Sequence, residues 1–311
     1  MTISVLITTR NRAKILKQCL KSLVRQSRKP DEVIVVDNAS SDNTKEIIKS
    51  FKRLNIKYFS EKNIGIAYGR NRGLEETKGE IFSFIDDDCV ASKSWLKAIE
   101  KTFESDKNIV GIVGRSENMF PKNPYAVAEQ CWFLYWYLKH ISSRDKEEVL
   151  RDGEIIDFKN AVFRLSLFGK TRFDTSLTMG QFSEEDTEIR GRLFRGLELK
   201  EKIIYQPKAV VLHQNRSAFS QLLLRRFNKG VSFAQYSKQQ NIIDVENNWN
   251  WTFISQWVRS IIPEIRGLSN DFDKAICLFC IPLLPVATNL GSLTYKVSSL
   301  FGLGLKRFLP H

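Results

Sequence analysis

The sequence predicts an α/β protein with a mostly parallel central sheet flanked by helices, followed by a helical, partly hydrophobic C-terminal extension. Three observations support this prediction. Short apolar runs alternate with segments of helical periodicity through the first hundred residues, which is the pattern of parallel βαβ units. Small polar residues follow each run, as at the ligand-binding edge of an open α/β sheet. Near the C-terminus, residues 275–295 form 21 consecutive positions without a charge.

The first half contains four predicted strands and three predicted helices. The strands are short runs rich in Val, Ile and Phe, and they cover residues 4–7, 32–36, 56–60 and 81–85. The helices have apolar residues at helical spacing, and they cover residues 12–26, 41–54 and 66–77. Ser41 and Asp42 are the candidate N-caps of the second helix.

The second half is less regular. It contains predicted strands at 110–114, 203–205 and 209–212, the last two separated by Pro207. Residues 127–140 form an aromatic-rich helix, either a packing helix or a platform for an acceptor. Residues 217–239 have the pattern of a basic amphipathic helix. Its Arg225, Arg226 and Lys229 form either a solvated face or a clamp for a diphosphate or phosphate group.

Composition limits the class of protein. The 311 residues include 48 basic and 35 acidic side chains, a net charge of +13, and residues 200–311 carry 14 basic against 6 acidic side chains. This basic region predicts an anionic partner, which is a membrane surface, a phospholipid-linked substrate or a nucleic acid. Nucleic acid is disfavoured because no recognition motif for it is present. Five scattered cysteines predict a reducing compartment without a disulfide framework.

The C-terminal region is predicted to associate with a membrane. The uncharged stretch is as long as a bilayer-spanning helix, although Pro282 and Pro285 interrupt it. Segment 249–311 contains interfacial anchor residues; these are Trp249, Trp251, Trp257, Lys306 and Arg307. The alternative is a buried hydrophobic helix pair. Because the chain begins with a strand pattern rather than a signal peptide, we expect a cytoplasmic protein, peripheral on the cytoplasmic face of the membrane.

The acidic triplet Asp86-Asp87-Asp88 is the strongest candidate for a functional site. It directly follows the buried run 81–85, and three adjacent carboxylates repel one another unless a cation is present. Hard oxygen ligands at a strand end suit Mg²⁺ or Mn²⁺ shared with a substrate phosphate. The alternative is a solvated acidic turn.

Polar residues also follow the other three strands. Residues 8–12, 37–42 and the pair of segments 63–65 and 69–73 are expected to lie at the same edge of the sheet as the triplet. Arg70 offers a planar cationic fork to a phosphate or a base.

These motifs together resemble glycosyltransferase family 2, the inverting enzymes of the GT-A fold. The resemblance covers about residues 1–215 and lies in the order of its fragments; these are VLITTRNR, VIVVDNASSDNT, NIGIAYGRNRGL, FSFIDDDC and RFDTSLTMGQFSEEDTEIRGRLFRGLELKEKIIYQPKAVVLH. The chain departs from the family pattern at three places: Thr8 stands where Pro is usual, Asn38 replaces the second Asp, and Gly69 replaces Ala.

The resemblance implies a domain organisation. Residues 1–215 would form the catalytic domain, with the nucleotide-binding half at about 1–115 and the acceptor half at about 116–215. Residues 216–311 would form the basic helical region.

The resemblance also implies roles for individual residues. The residues that it implies in nucleotide and donor binding are Thr8, Thr9, Arg10, Asp37, Arg70, Asp86 and Asp87. Asp86 would face the ribose or donor sugar, while Asp87, the variable middle position, would contribute least. Asp88 would ligate the metal, with His213 completing the metal site or contacting the diphosphate.

The catalytic base implied by the resemblance is Asp186, with Glu185 as its neighbour and second candidate. Like-charge repulsion between the two would raise one pKa. As an alternative, acidic residues at a helix start merely complement the helix dipole. The alternative for His213 is that it is an ordinary strand-end histidine without a role in the site.

The predicted function is a metal-dependent inverting glycosyltransferase that uses Mn²⁺ or Mg²⁺. It would move a sugar from a nucleotide-diphosphate donor, UDP being the family's commonest, to a saccharide or lipid-linked saccharide in cell-surface polysaccharide or glycan synthesis. A nucleotidyltransferase on a related sheet is the alternative enzyme, but residues 8–12 contain no glycine for a phosphate cradle. A non-catalytic nucleotide-sugar binder or membrane scaffold is disfavoured by the presence of both Asp88 and Asp186.

Overall fold

Nine strands in the described part of the chain form one mixed sheet. The structure is a computed structural model that describes residues 1–151, 155–169, 171–177, 184–239 and 251–300. The strands are β1 Ile3–Thr9, β2 Glu32–Asp37, β3 Ile56–Ser60, β4 Ile81–Ile85, β5 Cys89–Ala91, β6 Ile109–Asn118, β7 Glu148–Val149, β8 Asn160–Arg164 and β9 Lys202–His213. The helices are α1 Ala13–Val24, α2 Thr44–Lys49, α3 Ile66–Glu76, α4 Trp95–Ser105, α5 Pro124–Tyr137, α6 Leu165–Phe168, α7 Glu185–Arg195, α8 Phe219–Gln239, α9 Trp251–Arg266 and α10 Asp271–Leu300.

The sheet has the strand order β3-β2-β1-β4-β8-β6-β9-β5, and β7 pairs with β9. The four strands from β3 to β4 are parallel, which confirms the predicted α/β class. The pairing of Thr9 with Asp37, and of Asp37 with Ser60, brings the carboxyl ends of β1, β2 and β3 side by side. Beyond β4 the sheet turns antiparallel, since β8 runs against β4 and β9 runs against β5.

The chain divides into two compact units. The first contains Met1–Glu117, His140–Thr178 and Glu185–His213, and the second contains Asn118–Lys139, Met179–Glu184 and Gln214–His311. The core of the first unit lies between the sheet and helices such as α1 and α4. Trp95 is fully buried there and donates a hydrogen bond from Nε1 to Asn160 Oδ1 at 2.9 Å.

The second unit is helical and has its own apolar core, formed by residues of α5, α8, α9 and α10. Helices α8 and α10 cross at backbone contact. A Cβ on Gly230 would lie 1.8 Å from the carbonyl oxygen of Thr288, and a Cβ on Gly291 would lie 1.9 Å from that of Phe227. Two glycines on facing helices therefore allow an approach that any side chain would prevent. All five cysteines of the chain are buried, and none forms a disulfide.

Several predicted elements differ from the observed ones in extent. The predicted helix 41–54 is wrong in length, because α2 covers only Thr44–Lys49. The two predicted strands around Pro207 are one strand, β9. Strands β5, β7 and β8 were not predicted. Strands β5 and β7 have only three and two residues, which is too short for a periodic pattern.

Helix α10 continues through Pro282 and Pro285, although both remove a helical hydrogen bond. The helix packs on α8 and α5. Asp271–Lys296 is the one helical segment among the described residues long and apolar enough to cross a membrane, and 33% of its apolar window is buried in the protein. Core helices of soluble proteins also meet these criteria, so length and composition alone are weak support. The predicted anchors Trp249, Lys306 and Arg307 lie outside the described residues.

Candidate active site

The loop after β2 is organised around two buried polar residues. Asp37 accepts hydrogen bonds from the Ser40 backbone N–H at 3.0 Å and from the Tyr58 hydroxyl at 2.9 Å. Burial, together with this hydrogen bond to Asp37, raises the pKa of Tyr58 to about 12. Asn38 donates from Nδ2 to the Asn63 carbonyl at 2.6 Å and accepts from the Gly65 N–H at 2.7 Å. The amide at position 38 thus joins the loops that follow β2 and β3. An ionised carboxylate could accept the Gly65 hydrogen bond but has no N–H to donate to Asn63.

The loop after β1 contains an unusual backbone conformation. Asn11 and, in the neighbouring loop, Ala39 have φ of 52° and 58°, in the left-handed region that is uncommon for residues other than glycine. The two loops are joined where Asn11 Oδ1 accepts a hydrogen bond from the Ser41 N–H at 2.7 Å. Such strain is held only by surrounding contacts and is concentrated at functional sites. Arg10 in the same loop is exposed.

Two of the departures from the family pattern touch each other. A Cβ on Gly69 would lie 2.4 Å from the Cγ2 methyl of Thr8. Alanine at position 69 would therefore collide with the threonine that stands at position 8. The Thr8 hydroxyl is buried and has no hydrogen-bond partner among the residues the structure describes.

The acidic triplet is bound on one side by the loop after β1. Thr9 Oγ1 donates to Asp87 Oδ2 at 2.7 Å. Arg12 Nη1 lies 3.0 Å from Asp87 Oδ1 and 3.1 Å from Asp88 Oδ2. The carboxylates of Asp87 and Asp88 are buried, whereas the Arg12 side chain is 42% exposed. Asp87 is therefore engaged with the protein through both of its oxygens.

His213 lies beside Asp88 because of strand pairing. The β5–β9 register places His213 opposite Cys89, the residue after the triplet. The distance from His213 Nε2 to Asp88 Oδ1 is 3.6 Å, and both side chains are only 10% exposed. The sheet thus brings together two residues that are 125 positions apart in the sequence.

Arg70 joins the end of β4 to the start of α7. Its Nη1 lies 2.9 Å from Glu185 Oε1 and contacts Asp186 Oδ1, while its Nη2 lies 3.8 Å from Asp86 Oδ1. The guanidinium is itself buried against three aromatic rings, with its carbon 5.3 to 5.9 Å from the ring centroids; these rings belong to Phe84, Phe158 and Phe173. Glu185 is 3% exposed and Asp186 is 35% exposed. Only Asp186 of this pair therefore presents much surface to solvent.

The electrostatics of this group reflect an excess of carboxylates. Burial, opposed by Arg70 and reinforced by Asp88, raises the pKa of Asp86 to about 7. Burial likewise raises the pKa of Asp87 to about 6, although Arg12 lowers it. For Arg70, burial lowers the pKa, but the surrounding carboxylates raise it above its ordinary value. We call Asp86, Asp87, Asp88, Glu185 and Asp186 the carboxylate cluster.

The carboxylate cluster has a charge and a donor set that suit a divalent cation. Five carboxylates face two arginines, Arg12 and Arg70. A cation would favour the ionised form of Asp86 and Asp87, whose pKa values burial raises. Carboxylate and imidazole donors, as at Asp88 and His213, bind Mn²⁺ and Mg²⁺ together with substrate oxygens. No group of three or more His, Cys, Asp or Glu side chains arranged to hold a metal occurs among the described residues.

The structure brings together most of the residues predicted for the site, and it adds some that were not predicted. Arg12 was predicted only as part of the polar segment 8–12 after β1, without a role of its own. Its pairing with Asp87 and Asp88 depends on the fold. Phe158 and Phe173 also surround Arg70. Phe158 comes from a segment with no recognisable motif, whereas Phe173 lies in the last of the quoted fragments, which assigned it no role. The one available signal was general: a buried guanidinium commonly stacks on aromatic faces, so aromatic neighbours of Arg70 could have been expected.

Comparison with known proteins identifies the family. The family model described as "Glycosyl transferase family 2" matches residues 4–171, more than half of the chain. The chain belongs to glycosyl transferase family 2. It is therefore a glycosyltransferase, and the resemblance stated from the sequence is confirmed.

Individual members of the family are distant in sequence. A glucosyl-dolichyl phosphate glucuronosyltransferase from Haloferax volcanii is 24% identical over 75% of this chain and 76% of its own length. The chain spans a smaller part of other curated relatives, such as 30% of a pneumococcal glycosyltransferase. The family therefore gives the class of reaction, while substrates differ among its members.

Solved structures of similar fold extend over nearly the whole chain. S. aureus TarS 1-349 in complex with UDP has a TM-score of 0.54 at 19% identity, covering 97% of this chain and 92% of that 1-349 chain. The mannosyltransferase PcManGT from Pyrobaculum calidifontis, in complex with GDP-Man and Mn²⁺, has a TM-score of 0.56 at 15% identity, covering 96% and 87%. At these identities the likeness shows the fold, and this family 2 enzyme has the predicted GT-A fold.

Proposed function

We propose that this family 2 glycosyltransferase transfers a sugar, with inversion, from a nucleoside-diphosphate donor to a saccharide or lipid-linked saccharide acceptor. The observation that carries the proposal is the contact of Arg70 with Asp86, Glu185 and Asp186. It joins the strand end where a donor would lie to the helix start where a base would lie. A sugar carbon between these two groups would have the leaving diphosphate on one side and the acceptor hydroxyl on the other.

The donor half of the proposal rests on the strand ends of β1, β2 and β4. The unpartnered Thr8 hydroxyl, Asp37 and the exposed Arg10 are the groups proposed to hold the nucleotide. Asp86 is proposed to face the ribose or donor sugar. TarS binds UDP and PcManGT binds GDP-Man; of the two bases we propose uridine, the family's commonest.

A divalent cation, Mn²⁺ or Mg²⁺, is proposed to bind at Asp88 and His213 together with the donor diphosphate. Such an ion would neutralise the charge that develops on the leaving diphosphate. The excess of carboxylates over arginines at the carboxylate cluster favours cation binding there. Arg12 holds Asp87 and Asp88 in place, and Thr9 fixes Asp87. We therefore propose that Thr9 and Asp87 position the site rather than contact the donor.

Asp186 is proposed as the general base. Its carboxylate is partly exposed, so an acceptor hydroxyl can reach it, whereas Glu185 is enclosed. Arg70 orients both carboxylates. Proton removal by Asp186 as the hydroxyl attacks would contribute about 10²–10⁴-fold to the rate.

A thermal-shift screen of nucleotide sugars with Mn²⁺ tests the donor and metal assignments together. A ligand at about 100 times its dissociation constant adds about 2.7 kcal/mol to the free energy of unfolding. We expect this stabilisation in the wild type and in Asp145→Ala, which removes an exposed carboxylate of the first unit. In Asp88→Ala it should be lost. Stabilisation of Asp88→Ala equal to that of the control would refute the metal assignment, and no response to any nucleotide sugar would refute the donor.

The acceptor side of the proposal includes the membrane surface. The haloarchaeal relative is named for a dolichyl phosphate substrate, and helix α10 has a bare apolar face. Leu278, Phe279, Val286, Leu290 and Leu293 are each more than half exposed, while Cys277, Cys280 and Leu284 on the opposite side are buried. A helix packed on one side and bare on the other suits the membrane surface better than a span.

Vesicle flotation tests this membrane contact. Leu290→Ser with Leu293→Ser should reduce the fraction of protein that floats with anionic vesicles. Leu199→Ser, a fully exposed leucine of the first unit, is the matched control and should float like the wild type. Equal flotation of all three proteins would exclude this face as the membrane contact.

A further inference from the structure

The second unit contains a group of basic side chains that the proposed transfer chemistry does not use. Arg216 precedes α8, and Arg225, Arg226 and Lys229 lie on it. Lys229 follows the two arginines by four and three residues, so the three side chains emerge on one side of the helix. We call these four residues the basic cluster.

Two buried carboxylates face the basic cluster, and both are already engaged. Glu129 of α5 has its Oε1 atom 3.1 Å from Arg225 Nε. Its Oε2 atom accepts a hydrogen bond from the Arg216 backbone N–H at 2.6 Å. Glu184 Oε1 lies 2.6 Å from Lys229 Nζ. The basic cluster therefore has four cationic side chains and two carboxylates facing it.

Arg226 is the member of the cluster that forms no ion pair with the described residues. Its guanidinium carbon lies 5.8 Å from the ring centroid of Trp132, and its Nε is buried with no hydrogen-bond acceptor among them. Burial, only partly offset by Glu129, and repulsion from Arg225 and Arg216 lower its pKa to about 10. A shielded N–H donor without an acceptor is costly, whereas a solvated face would leave its donors in water.

We infer that the basic cluster binds a phosphoryl anion, either a phosphate ester or a diphosphate. A guanidinium presents a planar fork that matches phosphate oxygens, and Arg226 has a buried Nε without an acceptor among the described residues. Trp132 covers one face of the Arg226 guanidinium. The side chains of Arg225 and Lys229 are 35% and 43% exposed, so an anion can enter from solvent.

The source of the anion rests on the proposed function. It is either the phosphate of a lipid-linked acceptor or the diphosphate of the donor. Both present the same chemistry to the cluster, and separate probes distinguish them.

The test measures binding of inorganic pyrophosphate by calorimetry, with a chelator present to remove metal-dependent binding. Arg226→Met keeps the aliphatic stem against Trp132 and removes the fork. We expect it to weaken pyrophosphate binding about 10- to 100-fold, the loss typical of charge-assisted hydrogen bonds. Arg266→Met removes an exposed arginine of α9 and should bind like the wild type.

The two sources are separated with UDP and with neutral phosphatidylcholine vesicles that carry or lack polyprenyl phosphate. Loss of affinity in Arg226→Met for the polyprenyl-phosphate vesicles alone identifies the acceptor phosphate, and loss for UDP alone identifies the donor diphosphate. Either result supports the inference.

Equal affinity of Arg226→Met and Arg266→Met for all three probes would overturn the inference. If Arg226→Met failed to fold, Arg226→Lys, which keeps the charge but not the fork, provides the same comparison. Failure of the donor and metal assignments would instead appear with Asp88→Ala and would leave chelator-resistant pyrophosphate binding unchanged.

Discussion

The carboxylate cluster of the first unit and the basic cluster of the second unit are charged groups of opposite sign. In the first, two arginines face five carboxylates. In the second, two glutamates face four cations. Each cluster therefore contains more charges of one sign than of the other, and each suits a ligand of the sign in the minority.

The two clusters also differ in what an arginine contributes. Arg70 is surrounded by carboxylates, which raise its pKa, so its charge is stabilised by the fold. For Arg226, burial and repulsion from Arg225 and Arg216 lower the pKa, and Glu129 offsets this only in part, so the fold disfavours its charge. The charge of Arg70 therefore stabilises the folded first unit, whereas the charge of Arg226 destabilises the folded second unit.

The largest expected effect concerns the two acidic residues at the start of α7. Asp186→Asn should lower the rate of transfer by about 10²–10⁴-fold, because it removes the accessible base, and it should leave donor binding unchanged. Glu185→Gln should reduce the rate less, since this enclosed carboxylate acts by orienting Arg70. Single-turnover rates and donor titrations of both variants measure this difference.

The opposite ranking, with Glu185→Gln more damaging and Asp186→Asn active, would move the base to Glu185. It would also show that Arg70 or its neighbours shift when the acceptor binds.

The next effect sharpens the contrast between the two arginines. Arg70→Met leaves buried carboxylates without their cation and should lower the free energy of unfolding by about 3–5 kcal/mol. Arg226→Met removes a cation that other cations repel, so it should change stability little or raise it. Urea unfolding of both variants measures the difference. Equal destabilisation would mean that Arg226 is held by contacts as favourable as those of Arg70.

The sequence predicts the carboxylate cluster better than the basic cluster. Strand–helix alternation fixes a parallel sheet, and a parallel sheet brings the ends of its strands to one edge. That rule is sufficient to expect Asp37 and Asp86 near each other. His213 is near Asp88 through an antiparallel pairing with β5, a three-residue strand that no sequence pattern reveals.

The contacts within the basic cluster depend on helix packing, which the sequence specifies less directly. Periodicity places Arg225, Arg226 and Lys229 on one helix. It does not show that Glu129 and Trp132 of α5 face them, or that Gly230 allows α10 to approach closely. Arg12 and Phe158 are similar cases, because their partners follow from tertiary contacts alone.

The smallest effect concerns Glu129, the carboxylate at the centre of the basic cluster. Burial raises its pKa, but Arg225, Arg226 and Arg216 outweigh burial and lower the pKa from 4.5 to about 2. A carboxylate with a lowered folded-state pKa stabilises the protein above its unfolded pKa, and the stabilisation is lost as the pH falls towards the folded pKa. The contribution at neutral pH is about 3 kcal/mol.

We therefore expect wild type to exceed Glu129→Gln in unfolding free energy by about this amount at pH 6. The difference should shrink as the pH falls from about 4.5 to about 2, as measured by urea titration at several pH values. A difference that stays constant over this range would show that the cations do not act on Glu129. Because they are the same cations proposed to bind phosphate, bound pyrophosphate should compete with Glu129 for them and reduce the difference at pH 6.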